Sequence, residues 1–493
     1  MDKRREWLFY VCATLSCGLV LSLCWSPVRG VKAKPSAPEV FCGVYGDSLL
    51  CKNGHISCQV CHAETPPGMN PFGQQVAAQL LVGTKRPLSH DDFVAGLKDV
   101  LLKIGAQDAD GDGVSNMDEI KAGYLPGDKN HTPAQQTSAC DPSKGMQCGY
   151  VPENAFKKVS QDFCGQQVSF EELEAFRKKE DQRAAIKDKL ASCLDTPFWN
   201  GKDGVVWSLA NQKIRPAKYA KSGADSGAFP IADYYEDYNI FVYSQIDDHD
   251  ARLVLTAQFF VDRKDGTPTT YSIRQKETVV GSDLIGNGGF AMVQNEKRAG
   301  LATSPWTLAM ITMFSVIPRG TAAQIYRSYL GLDIAKQEGL FPARNEPADY
   351  DDKGVREAAC RQCHETLDAL AYPFTRYNGL NFEAGKLTTY IDDRMKLLSK
   401  LEGPRLELVP EAGYIFGKRV KNLVEWTQVA VNSDQFAKAA VMDYWKLLMG
   451  GKPAFPKENA AFDTLWRDFR GKHKYSIERM LHAFVQMEVY GAY

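Results

Sequence analysis

The stretch CRQCHETLDALAYPFTRYNGL, residues 360–380, decides how this chain is interpreted. It begins with Cys360, Cys363 and His364 in the spacing C-x-x-C-H. Two thiols at that spacing can add to the two vinyl groups on one edge of a haem, and the next imidazole reaches the iron from the same turn. The stretch therefore predicts covalent attachment of a haem, with His364 as the axial ligand.

The same spacing occurs a second time, at Cys58, Cys61 and His62 in CQVCH. Two other interpretations are a thioredoxin-like redox pair and half of a zinc site. A redox pair does not need the histidine, and no neighbouring C-x-x-C or H-x-x-x-H pattern completes four zinc ligands. The sequence predicts two haem c groups, here called haem 1 (residues 58–62) and haem 2 (residues 360–364).

The N-terminus is typical of an export signal. Three basic residues at 3–5 precede an uncharged, mostly apolar run over 7–28, and a polar segment with proline follows. We predict a signal peptide over residues 1–33, cleaved after Ala33, and a periplasmic or otherwise extracytoplasmic protein. The alternative is an uncleaved membrane anchor, because about 20 apolar residues can span a bilayer.

The composition is that of a globular protein. Its 493 residues, 44% hydrophobic and 24% charged, are too many for one core, so two or three domains are expected. The formal net charge is −1, which offers no basic surface for nucleic acid. Membrane contact is expected only if the N-terminal segment is retained.

Six of the thirteen cysteines lie outside both the export segment and the haem motifs. An even number in an exported chain predicts disulfide bonds. We expect sequential pairing, which joins Cys42 to Cys51, Cys140 to Cys148, and Cys164 to Cys193.

An acidic loop, DADGDGVSNMDE at residues 108–119, follows the EF-hand calcium pattern. The predicted ligands are Asp108, Asp110, Asp112, the carbonyl of Val114, Asn116 through water, and Glu119. The alternative is a solvated acidic turn. Ser115 stands where paired EF-hands place an apolar residue, and the sequence offers no second loop. We therefore predict one solitary, structural Ca²⁺ site.

The periodicity predicts a mainly α-helical protein. Two cytochrome c-like helical haem domains, residues 34–150 and 346–493, are joined by a mostly helical middle region, 151–345, with minor β structure. The calcium loop belongs to the first domain.

Several elements can be placed within this plan. We expect one charged helix over 168–193 and a strand or two within the aromatic stretch 231–266. A turn at 318–320 separates two helices. Four helices end the chain, of which the second has Ser433 as N-cap and Gly450 as C-cap.

Residues 298–493 resemble the large planctomycete-type cytochromes c. The matching segments are RAGLATSP (298–305), IPRG (317–320), CRQCHETLDALAYPFTRYNGL and LHAFVQMEVYG (481–491), with Ala369 where that family often has proline. The first motif and the acidic loop resemble small cytochrome domains with a calcium-type loop behind the haem motif. The resemblance implies haem c and export, and no particular reaction.

The ligand on the opposite side of each iron determines what a haem can do. A histidine or methionine there gives an electron-transfer haem, whereas an open position permits peroxide or oxygen chemistry. For haem 1 the candidates are His90 and Met69, and for haem 2 they are His482 and Met449. For each residue, the competing interpretation is an exposed histidine or a core side chain.

These observations predict an electron-transfer protein, either a carrier or a subunit of a respiratory assembly. Its partners would be redox donor and acceptor proteins of the cell envelope. The alternative is a dihaem peroxidase- or oxygenase-like enzyme with one open haem, where Tyr372 and Tyr377 would border the iron.

Overall fold

A computed structural model describes most of the chain. The described residues are 37–48, 50–51, 56, 58–63, 68–80, 90–129, 149–221, 226–228, 234–275, 293–312, 315–381, 386–453 and 457–492. The predicted export segment and the predicted bond between Cys140 and Cys148 lie outside these residues.

The fold is mainly α-helical, as the sequence predicts. The α-helices of the described residues are α1 Ala37–Val44, α2 Pro71–Leu80, α3 His90–Ile104, α4 Asn116–Ala122, α5 Pro152–Cys164, α6 Phe170–Arg177, α7 Gln182–Leu194, α8 Pro197–Asn200, α9 Val205–Ile214, α10 Tyr235–Gln245, α11 Leu253–Thr256, α12 Arg319–Leu330, α13 Ala358–Ala371, α14 Arg394–Glu402, α15 Leu423–Val431, α16 Asp434–Met449, α17 Lys457–Arg470, α18 Ile477–Phe484 and α19 Glu488–Gly491.

Among the described residues, the β structure consists of three short antiparallel hairpins. Their strands are β1 Phe260–Lys264 with β2 Thr270–Arg274, β3 Tyr377–Asn381 with β4 Lys386–Tyr390, and β5 Gly413–Ile415 with β6 Lys418–Val420.

A small hydrophobic cluster, here called the first core, lies within residues 41–120. Helices α1 and α2 pack against α3, which contributes Leu97, Leu101 and Ile104. A disulfide between Cys42 and Cys51 fastens the end of α1, as sequential pairing predicts. The first core therefore holds both the CQVCH motif and the acidic loop.

A much larger cluster, the second core, contains buried residues from positions 155 to 490. Residues at the beginning of this region contact the last helices of the chain. The Tyr150 hydroxyl donates to the Val485 carbonyl at 2.8 Å, and the Tyr490 hydroxyl donates to Asp162 at 3.0 Å. The second predicted disulfide, Cys164 to Cys193, joins α5 to α7. The predicted middle region and the C-terminal region share this core.

The single charged helix expected over 168–193 is wrong in one respect, because two helices, α6 and α7, occupy that segment. Asp181 interrupts the predicted helix, because its carboxylate accepts a hydrogen bond from the Ala184 amide at 2.9 Å and so caps the start of α7. The aromatic stretch 231–266 is also more helical than expected, since α10 occupies its centre and β1 begins at Phe260.

The predicted caps of α16 are present. The Ser433 side chain accepts from the Phe436 amide, and Gly450 adopts a φ of 76° after the last helical residue. Within the described residues, none of the helices has the length and apolar content that crossing a bilayer requires.

Candidate functional site

The second C-x-x-C-H motif lies on helix α13. Cys360, Cys363 and His364 occupy positions i, i+3 and i+4, which share one face of a helix. Cys360 is exposed and the other two are partly exposed, whereas Ala369 on the opposite face is buried. Neither Cys360 nor Cys363 is in a disulfide. Two thiols and an imidazole therefore share one face of the helix, and none of the three is fully buried.

The His364 ring is held by a buried carboxylate one helical turn away. Its Nδ1 lies 2.7 Å from Oδ1 of Asp368, whose side chain is 1% exposed against 23% for His364. A carboxylate accepts the Nδ1 proton, and the neutral ring then carries its lone pair on Nε2. The geometry leaves the metal-binding nitrogen of His364 available.

Arg319 holds Asp368 from the other side. The Nε and Nη2 atoms of this side chain donate to the two Asp368 oxygens at 2.6 and 3.1 Å, and Nη1 donates to Asp351 at 2.6 Å. Although burial raises the pKa of Asp368, hydrogen bonds from His364 and Arg319 outweigh burial and hold that pKa below its ordinary value. Asp368 is therefore an ionised acceptor.

The network of His364, Asp368, Arg319 and Asp351 is not among the features that the sequence predicts. One signal was available, because His364 and Asp368 are four residues apart on a predicted helix. Arg319 belongs to IPRG and opens α12, which packs against α13. Two of the segments on which the family resemblance rests therefore meet at this histidine.

The two tyrosines that follow the second motif are engaged elsewhere. The Tyr372 hydroxyl donates to Glu346 at 2.5 Å, and the Tyr377 hydroxyl donates to the Lys297 carbonyl at 2.7 Å. Both rings are buried. Their hydroxyl groups fasten neighbouring chain segments around α13.

The first motif lies in a short turn. Residues Cys58–Val60 form one turn of 3-10 helix, and the His62 Nδ1 lies 3.2 Å from the Gly68 carbonyl oxygen. Gly68 also accepts from the Ala63 amide at 2.9 Å. The His62 ring thus has a backbone acceptor for Nδ1, which again leaves Nε2 for a metal. The Cys58 side chain lies outside the described atoms.

Asn70 and Gly73 hold that turn against α2. The Asn70 amide donates to the carbonyls of Gln59 and Val60 at 2.7 and 3.1 Å and accepts from the Gly73 amide at 2.8 Å. A Cβ on Gly73 would lie 1.8 Å from the Cys61 carbonyl oxygen, so only glycine fits. The close packing of α2 against the motif turn therefore depends on glycine at position 73.

The four candidates for the opposite side of each iron fall in different places. Met69 is the backbone bridge partner of His62 and is 43% exposed. His90 is the first residue of α3, and its side chain lies outside the described atoms. Met449 ends α16, and His482 lies on α18, where burial and then the charge of Lys187 lower its pKa.

The acidic loop gathers four carboxyl groups, and some of their oxygens have no hydrogen-bond donor among the described residues. Asp108, Asp110 and Asp112 each offer an oxygen, and these oxygens lie within 4.8 Å of one another. Glu119 is 0% exposed, and neither of its oxygens has a hydrogen-bond partner among the described residues. Burial, followed by the charges of Asp110 and Asp112, raises the pKa of Glu119 to about 9. This arrangement is unfavourable unless a cation neutralises it.

The loop backbone follows the turn that the pattern requires. Asp108 accepts from the Gly111 and Gly113 amides, both at 2.8 Å, and Gly113 has a φ of 94°. Ser115 caps α4 by accepting from the Asp118 amide. Its polarity, unusual for a paired EF-hand, therefore has a local use.

Asn116, predicted to act as a ligand through water, has its amide engaged within the protein. Its oxygen accepts from the Ala109 amide at 3.0 Å, and its nitrogen donates to the Ile104 carbonyl at 2.8 Å and to Gln75 at 3.3 Å. Asn116 therefore closes the loop onto α2 and α3.

No protein-family model matches the chain, and neither a curated protein nor a solved structure matches it. The resemblance of residues 298–493 to planctomycete-type cytochromes stays a prediction from its motifs. Function is inferred from the local geometry of the sites.

Proposed function

We propose that the chain is an exported dihaem c-type cytochrome that transfers electrons. The observation that carries this proposal is shared by both motifs: His62 and His364 each have Nδ1 next to an acceptor, so that Nε2 is the atom left for iron. Metal-binding histidines are normally oriented in this way. Cys58 with Cys61, and Cys360 with Cys363, would hold the two haems covalently.

The donor set at α13 fits haem c better than zinc. Among the described residues, the cluster of three or more metal-ligating side chains is the acidic loop, not the surroundings of Cys360, Cys363 and His364. A structural zinc site needs four ligands. Two accessible thiols beside one oriented imidazole supply instead what covalent haem attachment requires. The bound haem would supply one-electron chemistry, and the chain would orient the axial imidazole and anchor the porphyrin edge.

The proposed location outside the cytoplasm rests on the N-terminal sequence and on the two disulfides, because such bonds persist in oxidising compartments. Redox donors and acceptors of the cell envelope would then be the partners. Membership of a respiratory assembly is one form of the same proposal.

A second candidate function is a peroxidase- or oxygenase-like enzyme with one open haem. The pairing of His364 with the Asp368 carboxylate favours it, because a more basic axial histidine stabilises oxidised iron. The two functions differ in whether one haem binds external ligands.

We also propose that the acidic loop binds one Ca²⁺. Buried oxygens of Glu119, Asp110 and Asp112 that have no hydrogen-bond partner among the described residues support this assignment. Oxygen donors alone are the ligands that Ca²⁺ prefers.

The test is a haem count on protein produced with haem c maturation. The denatured pyridine spectrum should give two haems per chain, and the variant Cys360→Ala/Cys363→Ala should give one. A matched control, Cys164→Ala/Cys193→Ala, removes two cysteines that form a disulfide and should keep both haems. Fewer than two haems in the unaltered protein would refute the proposal.

Carbon monoxide separates the two functions. We expect no change in the Soret band when it is added to the dithionite-reduced protein, because electron-transfer haems have both axial positions filled. A change affecting about half of the absorbance would favour the enzyme with one open haem.

A further inference from the structure

We infer that Asp368 is a positioning residue that gives haem 2 a lower reduction potential than haem 1. This inference rests on the proposed function, since it concerns the electronic state of an axial histidine. It adds to that proposal a difference in reduction potential between two sites that share one sequence pattern.

The hydrogen bond at His364 has the features of a strong one. The acceptor is a carboxylate that Arg319 also binds through two hydrogen bonds, the separation from Nδ1 is 2.7 Å, and the Asp368 side chain is 1% exposed. Charge-assisted hydrogen bonds are shorter and about twice as strong as neutral ones, and low local dielectric strengthens them further. Such an acceptor draws the Nδ1 proton and increases negative charge on the imidazole, which makes the ring a better donor through Nε2.

The corresponding bond at His62 is weaker in each of these respects. Its acceptor is the neutral Gly68 carbonyl, the separation is 3.2 Å, and the contact is exposed to solvent. Water competes for exposed groups of this kind and screens their charges. The His62 ring therefore receives less additional negative charge than the His364 ring.

Arg319 fixes the direction of the Asp368 carboxylate. Its two bonds to the Asp368 oxygens place Oδ1 toward His364, and its third nitrogen group binds Asp351, which is 6% exposed. A bidentate arginine clamp of this kind is geometrically specific. The three side chains together retain one net negative charge beside the histidine.

A better-donating axial histidine stabilises ferric over ferrous iron, which lowers the reduction potential. A redox titration of the unaltered protein should therefore show two separate reduction steps, or waves, one for each haem. The lower wave should be absent from Cys360→Ala/Cys363→Ala, which retains haem 1 alone.

The decisive variant is Asp368→Asn, which exchanges the charged acceptor for a neutral one and makes the second site resemble the first. Its lower wave should move to higher potential, toward that of haem 1. Arg319 keeps Asp351 as a partner, so the variant does not leave the guanidinium unpaired.

Asp351→Asn is the matched control, because it removes the same charge from the same network without touching His364. Its shift should be smaller than that of Asp368→Asn by several-fold. Equal shifts in the two variants would mean that Asp368 acts through charge alone and would overturn the inference.

The inference is also overturned if the two haems of the unaltered protein share one potential, or if the wave lost with Cys360 and Cys363 is the higher one. These outcomes are read in a protein that carries two haems. A pyridine spectrum with fewer than two haems would instead refute the proposed function, so that the two failures are distinguishable. If Asp368→Asn does not retain haem 2, the inference is tested by the unaltered protein alone. It then stands or falls on whether the wave that is lost in Cys360→Ala/Cys363→Ala is the lower one.

Discussion

The two C-x-x-C-H motifs share their chemistry and differ in what supports them. The first lies in one 3-10 turn at Cys58–Val60, inside a core formed by residues 41–120. The second lies on the fourteen-residue helix α13, whose opposite face packs into a core with buried residues from positions 155 to 490. The first histidine is held by a backbone carbonyl and the second by a buried carboxylate.

The two cores differ in size, and a smaller core depends more on stabilising elements other than hydrophobic burial. A small domain buries a modest fraction of its surface and is marginal without staples. Both cores contain a disulfide, Cys42–Cys51 in the first and Cys164–Cys193 in the second, and the first core adds the acidic loop that is proposed to bind Ca²⁺. The second core buries many aromatic side chains, such as Trp199, Trp426 and Trp445, and can hold an ionised network in its interior. We expect the two regions to respond differently to the same kind of perturbation.

Removal of calcium should produce the largest difference between the regions. Without the ion, burial and the charges of Asp110 and Asp112 raise the pKa of Glu119 to about 9, so that at neutral pH this carboxyl must take up a proton for the loop to fold, which lowers the stability of the first core. Chelation of the full chain should therefore increase hydrogen exchange across 90–129 and leave 423–449 protected. Calcium added back should restore protection.

The variant Glu119→Gln sharpens this test, because it replaces the buried carboxyl with a neutral amide of the same shape, which needs no proton uptake. It should bind Ca²⁺ more weakly, yet after chelation it should be more stable than the unaltered protein. If chelation changes neither the bound metal content nor exchange across 90–129, the acidic loop is a solvated turn.

A methyl group on Gly73 should have the next largest effect. Its Cβ would lie 1.8 Å from the Cys61 carbonyl oxygen, so the motif turn or α2 must move, at a cost of about 3 kcal/mol. Gly73→Ala should lower the yield of haem 1 and the stability of the first core.

Gly96→Ala is the matched control on the neighbouring helix α3. There the added Cβ meets the end of the Leu80 side chain at 3.0 Å, which can turn aside, and alanine favours the helix. Comparable losses of haem 1 in the two variants would show that the close approach at Gly73 does not support the motif. The comparison is made by haem count and thermal melting.

The features that the sequence predicts correctly are those written in short, local patterns. The caps Ser433 and Gly450 are of this kind, and so is the disulfide Cys42–Cys51, whose cysteines are 9 positions apart. The disulfide Cys164–Cys193 spans 29 positions, and its prediction depended on the order of the cysteines alone.

The features that sequence reasoning missed depend on contacts between distant segments. Arg319 reaches Asp368 across 49 positions, and no pattern within either segment indicates that they meet. The break before α7 was missed for another reason, because helix periodicity continues through Lys178–Asp181 and the N-cap of Asp181 competes with it. Helical propensity cannot decide between those alternatives without the packing of both helices.

The smallest expected effect is also the most direct comparison of the two cores. Ser115 caps α4 in the first core, and Ser433 caps α16 in the second, each accepting from the amide three residues ahead. Replacing either by alanine should cost about 1 kcal/mol of folding free energy.

The same cost lowers Tm by roughly 4–8 °C in a domain of about 60–100 residues and by roughly 2–4 °C in a domain of 150–250 residues. With calcium present, Ser115→Ala should therefore shift the transition of the first core more than Ser433→Ala shifts that of the second. Calorimetry measures both, and a single transition lowered equally by the two variants would show that the cores unfold as one unit.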